Sequence, residues 1–311
     1  MSIKEIHLKS LDSALLKLQE LASSHSDIVF RGHVDSSWTI RSTLSRYTVV
    51  PHESWDTHID EMLSHFLTNL RSIGEYPDAV AGNRRARLEY GRHYGVPSPL
   101  IDFSLSPYIA LFFAFNGVRP DPAKPEAKVA IYALDVGALG LAWAQKCTTL
   151  HSENLGEEMR RFMYENDNVF ADGYPGGTLK YIRYPASWNK RMQRQMGVFL
   201  YDTLDYKQLG YEDFEGFIDA PKESPDATTG TASPILSKLI IPCSVAAESF
   251  SRLELMGINA TMLYGDHSGA ADDVYNAYNY NRKTGYAWDL RMPLPDDKKL
   301  QSEAGRAEAA E

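Results

Sequence analysis

Cysteine is almost missing from this chain: Cys147 and Cys243 stand alone in 311 residues, too few for a disulfide framework and without the close pairing of a zinc site. A reducing compartment is expected. Long apolar runs are missing too. The longest, Tyr108 to Phe115, falls far below the about 20 residues of a membrane helix, and the opening Met1-Ser2-Ile3-Lys4-Glu5 has no apolar signal region. A cytoplasmic protein with no membrane segment follows as the expectation. No glycine pattern of the dinucleotide-fold or P-loop kind occurs, and no two of the nine histidines stand four apart around a glutamate, so Rossmann, P-loop and zincin chemistry fall away and no metal site is expected. Asp266, His267 and Ser268 resemble a triad in print. Adjacent residues do not aim their side chains at one point, however, and Gly265 to Gly269 lacks the nucleophile-elbow spacing, so the stretch reads as a turn. Excess positive charge is also lacking. A net charge of -9 argues against a surface that grips nucleic acid everywhere, while leaving room for one local basic cleft.

What is present is enough for a large core: 43% of the residues are apolar and 11% of the chain is aromatic, which marks a globular protein. Leu11, Leu15, Leu18 and Ala22 recur at helical spacing, as do Trp55, Ile59, Met62, Phe66 and Leu70,. Short bounded runs rich in β-branched and aromatic residues predict strands at Asp27–Arg31, Val129–Leu134, Val198–Tyr201 and Leu236–Ile241, all in one sheet,. Pro107 suits a first helical turn, and the run to Asn116 reads as a buried helix. Ser244–Met256 reads as a helix closed by Gly257, and a last helix is expected from Asp272 to about Tyr280. The fold class expected is α+β, a compact mixed β-sheet core flanked by helices. One domain is expected over residues 1–292, with an exposed polar loop at 219–234 and a flexible tail at 293–311. No internal repeat is visible.

The chemistry concentrates between Phe30 and Phe115. Arg31 closes a strand, and Arg92-His93-Tyr94-Gly95-Val96-Pro97-Ser98-Pro99-Leu100-Ile101-Asp102-Phe103-Ser104 runs straight into the apolar helix. A strand-end guanidinium, a His/Asp/Ser cluster and a buried helix are the parts needed to seat a phosphate-bearing ligand against a rigid core, which suggests a nucleotide site. Ordinary roles compete at each position. Asp102 is well placed to cap the helix near Pro107, Ser104 shares that ambiguity, and Gln195 is able simply to satisfy backbone groups at a strand edge.

Phe30-Arg31-Gly32, the block from His93 to Ser104 with Ala110-Leu111-Phe112-Phe113-Ala114, and Arg191-x-x-x-Gln195-x-Gly197-x-Phe199 resemble the three signature blocks of FRG-domain proteins. More remotely, the aromatic-Arg-Gly strand end and the Ser-bearing second block are similar to ADP-ribosyltransferases that use Arg and Ser in their first two motifs. The resemblance implies an ADP-ribosyltransferase-like fold and NAD as substrate. It implies NAD contacts from Arg31, Gly32, His93 and Tyr94, with Tyr90 or Tyr94 stacking on a ring, and catalytic roles for Asp102, Ser104 and Gln195. It further implies a macromolecular acceptor, protein or RNA, a toxin or anti-phage setting, and an antitoxin or inhibitory partner. The chain departs from that pattern where a Ser-Thr-Ser-like triplet is usual: it reads Phe103-Ser104-Leu105-Ser106, and no glutamate is evident on a later strand. Either Asp102, Glu89 or Glu248 supplies the charge, or the domain binds a nucleotide without transferring it. Two alternatives stand beside transfer. One is a non-catalytic nucleotide or nucleic-acid module, motivated by the missing glutamate and the basic clusters at Arg84–Arg87 and Arg191–Arg194. The other is an NAD glycohydrolase, with water as acceptor.

Overall fold

Alternating apolar residues draw the strands of this chain into one sheet. The computed structural model describes residues 3–24, 27–47, 51–52, 55–76, 78–80, 83–118, 124, 126–151, 154–163, 177–184, 189–219 and 234–280. Its strands are β1 (Ile3–His7), β2 (Ile28–His33), β3 (Leu100–Ser104), β4 (Lys128–Asp135), β5 (Leu179–Ile182), β6 (Gly197–Asp202) and β7 (Leu236–Pro242). They form a seven-stranded sheet in the order β1-β7-β4-β2-β3-β6-β5. β1 runs parallel to β7 and every other neighbouring pair is antiparallel. The sheet is therefore mixed and the class is α+β, as expected. All four anticipated strands lie in it. The expected loop at 219–234 and tail at 293–311 fall almost wholly outside the described residues, apart from Asp219 and Pro234.

Helices cover both faces. α1 (Leu11–Ala22), α5 (Pro107–Phe115) and α10 (Ala246–Leu255) pack on one side, where Leu18, Phe112 and Phe250 meet Phe30, Ile131 and Leu239 of the strands. On the other side Trp143 of α6 (Val136–His151), Phe162 of α7 (Leu155–Met163) and Phe217 of α9 (Phe214–Asp219) share a core with Val29, Tyr132 and Leu200. A third cluster carries α2 (Thr43–Tyr47), α3 (Trp55–Ser72), α4 (Arg84–His93) and α8 (Lys190–Arg194) against β3 and β6, through Leu44, Ile59, Leu88 and Met192 on Leu100 and Phe199. The period-2 alternation of strands sorts these residues: Phe199 and Tyr201 face the third cluster, and Val198 and Leu200 face the second,. The chain closes with α11 (Ala260–Tyr264) and α12 (His267–Tyr280). The last helix begins earlier than its apolar pattern suggests. The Asp266 carboxylate accepts from Ser268 Oγ at 2.6 Å and from Gly269 N at 3.2 Å, so the triad-like stretch is a helix start.

The sheet is joined only narrowly at its centre. β2 pairs with β4 from Ile28 to His33, and β3 pairs with β6 from Leu100 to Ser104, yet β2 and β3 share a single register pair, Phe30 with Ser104. Continuing that antiparallel register would set Gly32 opposite Asp102. Instead the strands part, and the Arg31 guanidinium crosses the gap to donate from Nη1 to the Asp102 carbonyl at 2.5 Å. A carbonyl that lost its ladder partner regains one from a side chain.

Gly32 is fixed by packing. A Cβ there would stand 2.1 Å from the Ala110 carbonyl oxygen and 2.4 Å from Ala114 N of α5, backbone atoms that cannot swing aside. Gly95 contrasts with it: its φ is +88° and an added Cβ would meet nothing within 4 Å, so only the left-handed backbone favours glycine. Gly32→Ala should therefore destabilise by about 3 kcal/mol, as an overpacked core contact, and Gly95→Ala by about 1 kcal/mol. Denaturant melts of the two variants check this, and equal losses would show that β2 does not press on α5.

Candidate functional site

The seam between β2 and β3 opens into a cavity of about 390 Å³, within the range of about 300–1,000 Å³ usual for small-ligand sites. Phe30, Arg31 and Gly32 of β2 and Asp102, Phe103 and Ser104 of β3 form its floor, and Ala110 and Phe113 of α5 give one apolar wall. The opposite wall is polar. It comes from Glu89, Arg92 and His93 of α4 and from the segment bearing Asn189, Arg191 and Gln195. Three guanidinium groups face two carboxylates, leaving one formal positive charge in excess in a chain of net charge -9. A second cavity of about 430 Å³ lies at the far end of β6. Asp202, Asp205, Glu212 and Asp213 outnumber Arg41 and Lys207 in it, and it holds none of the motif residues.

Asp102 is bracketed by cations. Arg92 Nη2 donates to its Oδ2, and Arg31 Nη1 lies 3.8 Å from the same oxygen. Burial alone would push the Asp102 carboxyl up, but Arg92 and Arg31 outweigh it and hold the group below the usual carboxylate range,. It stays anionic, with its side chain 33% exposed to the cavity. Arg31 is 16% exposed. Burial brings its pKa down to about 10 against the opposing pull of Asp102. Its Nε donates to His33 Nε2 at 2.9 Å, so that imidazole nitrogen is the unprotonated one. Burial first, and then the Arg31 charge, pushes His33 down to about 3, which keeps the acceptor neutral. Glu89 sits deeper, with no side-chain exposure, between Arg85 Nε at 3.0 Å and Asn189 Nδ2 at 3.5 Å. At the mouth, burial and Arg191 lower the His93 pKa while Asp266 raises it. The Arg191 guanidinium lies over the Tyr264 ring, 4.2 Å from its centroid,.

The geometry brings most of the anticipated residues together. Arg31, Gly32, His93, Asp102, Ser104 and Gln195 all line the one cavity. Tyr94 is not among its lining residues: the side chain is 59% exposed and its ring lies against Tyr90, with centroids 4.8 Å apart. α4 ends there, and Gly95 turns the chain with a left-handed φ, so Tyr94 projects from the rim. Ser104 and Gln195 are committed to scaffolding. Ser104 Oγ donates to the Gln195 carbonyl at 2.8 Å and accepts from Ser106 N at 3.0 Å, and Gln195 Nε2 donates to the Leu263 carbonyl at 3.3 Å. The helix cap belongs to Ser106, whose Oγ accepts from Ile109 N at 3.3 Å, which leaves Asp102 to its arginines. Glu248 is on α10, half exposed and 3.6 Å from Arg252, outside the cavity. Arg92 and Asn189 are site residues that the motifs did not single out, and Arg191 opens the third block with no ligand contact implied for it. Arg92 follows Glu89 by three positions, the spacing that puts both on one helical face, and that was the available signal.

Residues 26–122 match the family model described as FRG domain. The match runs from before β2 to beyond α5 and takes in the first two blocks. The third, Arg191 to Phe199, lies outside it. No curated protein and no solved structure matches the chain. Among the described residues, no helix is long and apolar enough to cross a membrane.

His33 gives the site a titration that can be read in stability. Its folded pKa of about 3 lies below the ordinary 6.5. Between those values the unfolded chain takes up a proton that the folded chain refuses, so stability falls with falling pH by about 1.4 kcal/mol per pH unit. His33→Gln keeps an acceptor for Arg31 Nε and removes the titration. The stability of the variant relative to wild type should rise by that amount per unit as pH drops from 6 to 4. A pH-independent difference between the two would show that His33 is not buried as the neutral base.

Proposed function

We propose that the protein is an NAD-dependent ADP-ribosyltransferase acting on a macromolecule. The observation that carries the reading is the convergence, in one cavity, of the Arg31 strand end, the Asp102–Ser104 turn and the Arg191–Gln195 segment, with an anionic carboxylate between guanidinium groups. The excess cation suits a pyrophosphate, and the apolar wall of Ala110 and Phe113 suits a ring. In the reaction the bond from the ribose anomeric carbon to nicotinamide breaks. Nicotinamide leaves with the bonding electrons, and an acceptor nucleophile bonds the anomeric carbon and releases its proton. The sugar becomes oxocarbenium-like on the way, so a fixed negative charge beside it lowers the barrier.

Asp102 is the carboxylate suited to that task. It is open to the cavity, and Arg92 and Arg31 keep it ionised. Glu89 is fully covered and held by Arg85 and Asn189, a supporting position. Arg31 orients Asp102 through the Asp102 carbonyl and shares its charge, while Arg191 and His93 at the mouth meet the phosphates. Ser104 and Gln195 hold the β3 end to the β6 entry and act by position. Such an enzyme depletes or diverts cellular NAD, so uncontrolled expression would slow growth, and an inhibitory partner would serve its host.

Asp102→Asn preserves shape and removes the charge. It should cut nicotinamide release from NAD by about 100-fold or more, with Arg31→Ala at least as damaging, at normal folded yield. Wild-type release from Asp102→Asn would strip that residue of its catalytic role. A second reading, a non-catalytic nucleotide module, draws on the engagement of Ser104 and Gln195 in backbone bonds. Calorimetric NAD binding with no nicotinamide released by the wild-type protein would favour it.

A further inference from the structure

The cavity opens beside a strip of positive charge. Residues 183–195 contain Arg183, Lys190, Arg191 and Arg194 and no acidic residue. None of the four makes an ion pair within 4 Å among the described residues. Arg183, Lys190 and Arg194 are exposed. Both described parts of the strip are pinned to α4, since Arg85 donates to the Tyr184 carbonyl and Asn189 to Glu89, and Asn189, Arg191 and Gln195 line the polar wall of the cavity. Exposed aromatic rings lie with it. Tyr184 is 66% exposed with the Arg183 guanidinium 5.8 Å from its centroid, and Tyr94 is 59% exposed at the end of α4, beside His93. Four cations that make no ion pair within 4 Å among the described residues, with two exposed tyrosines beside them, stand out on a chain of net charge -9. Of the four, Arg191 acts on a carboxylate at longer range, adding to the Ser268 hydrogen bond that lowers the Asp266 pKa.

We infer that this strip is the acceptor-binding surface and that its ligand is a single-stranded nucleic acid. The inference deepens the transferase reading and rests on it for the word acceptor, but the binding itself does not require NAD. The arginines and lysine neutralise phosphates along the strand and release counterions, which is the dominant source of such affinity. Tyr94 and Tyr184 offer stacking faces that an acidic protein partner would not need and that a fully stacked duplex cannot use. The remaining surface is acidic in balance, so repulsion elsewhere confines the strand to the strip. A recessed cavity with Tyr94 at its rim admits an unstacked nucleotide to the reacting sugar, as enzymes acting on nucleic-acid bases require.

Fluorescence anisotropy with a fluorescein-labelled RNA strand of mixed sequence, its DNA counterpart and the duplex, across a salt series, tests the inference. Both single strands should bind more tightly than the duplex, and the RNA and DNA arms decide which sugar is preferred. Arg183→Gln with Lys190→Gln, neither of which lines the cavity, should reduce the log–log salt slope by about 1.4, two phosphate contacts at roughly 0.7 each. Tyr94→Ala should weaken binding about tenfold with the slope unchanged. NAD cleavage by the double variant should stay at wild-type rates. Absence of saturable binding, a double variant with an unaltered slope, or poly-glutamate binding as well as RNA with Tyr94→Ala indifferent would each overturn the inference. Strand binding that persists in a protein unable to cleave NAD would sink the transferase reading and leave the surface standing.

Discussion

Everything at the site depends on one guanidinium spanning a break in the sheet. Where β2 leaves β3, the Asp102 carbonyl loses the ladder partner that the register would have supplied, and Arg31 replaces it. A buried cation needs a counter-charge, and the Asp102 carboxylate provides one at 3.8 Å while also accepting from Arg92. A buried donor needs an acceptor, and His33 provides that by staying neutral. These bonds are mutually conditional. Removing one member leaves another charge or polar group buried and unpaired, which costs far more than the pair is worth in itself. The arrangement thus sets the shape of the cavity and the ionisation state of its carboxylate at once.

The two walls show how a single gap acquires two chemistries. α5 is apolar over almost its entire length because it is buried on nearly all sides, and Gly32 lets it lie directly on the backbone of β2. Nothing polar reaches the cavity from that side. α4 is amphipathic: Leu88 goes to the core while Glu89 and Arg92 turn to the cavity and Arg85 braces Glu89 one turn earlier,. One wall therefore suits a planar ring and the other an anion, and a nucleotide needs both within a few ångströms.

How much of this could be read in the residues varied with the strength of local pattern. α1 and α3 carry strong 3.6-residue periodicity, and the central strands β2, β4, β6 and β7 are apolar enough to stand out, so their places were legible. β1 was not, because as an edge strand it presents Ile3 and Ile6 between exposed residues. β5 spans only Leu179–Ile182, too short for alternation to register. α4 is hidden by its own charge, since four arginines in ten residues look like a solvated cluster until Asp60, Glu89, Asp102 and the Tyr184 and Val80 carbonyls are seen to receive them. Arg31 and Asp102 were legible as a pair of motif residues, but the seam that joins them is a property of strand order. Tyr94 misled because adjacency to His93 in sequence reverses at a helix end, where one side chain turns in and the next turns out.

The span that matches the FRG family model contains both strands of the seam but neither of the strands that hold them. β2 is registered along its whole length by β4, and β3 by β6, while the two touch each other at one residue pair. β4 and β6 lie beyond residue 122. A two-stranded contact of one pair cannot sustain itself against the entropy of the chain, so residues 26–122 form their cavity only inside the larger sheet. The same holds for chemistry, since Asn189 and Arg191 come from outside that span and complete the polar wall. The motif region supplies the floor and the apolar wall of the cavity, and β4 and β6 hold β2 and β3 in their registers. A cavity built this way takes its floor from the motif region and completes its polar wall with side chains that the motif region does not contain.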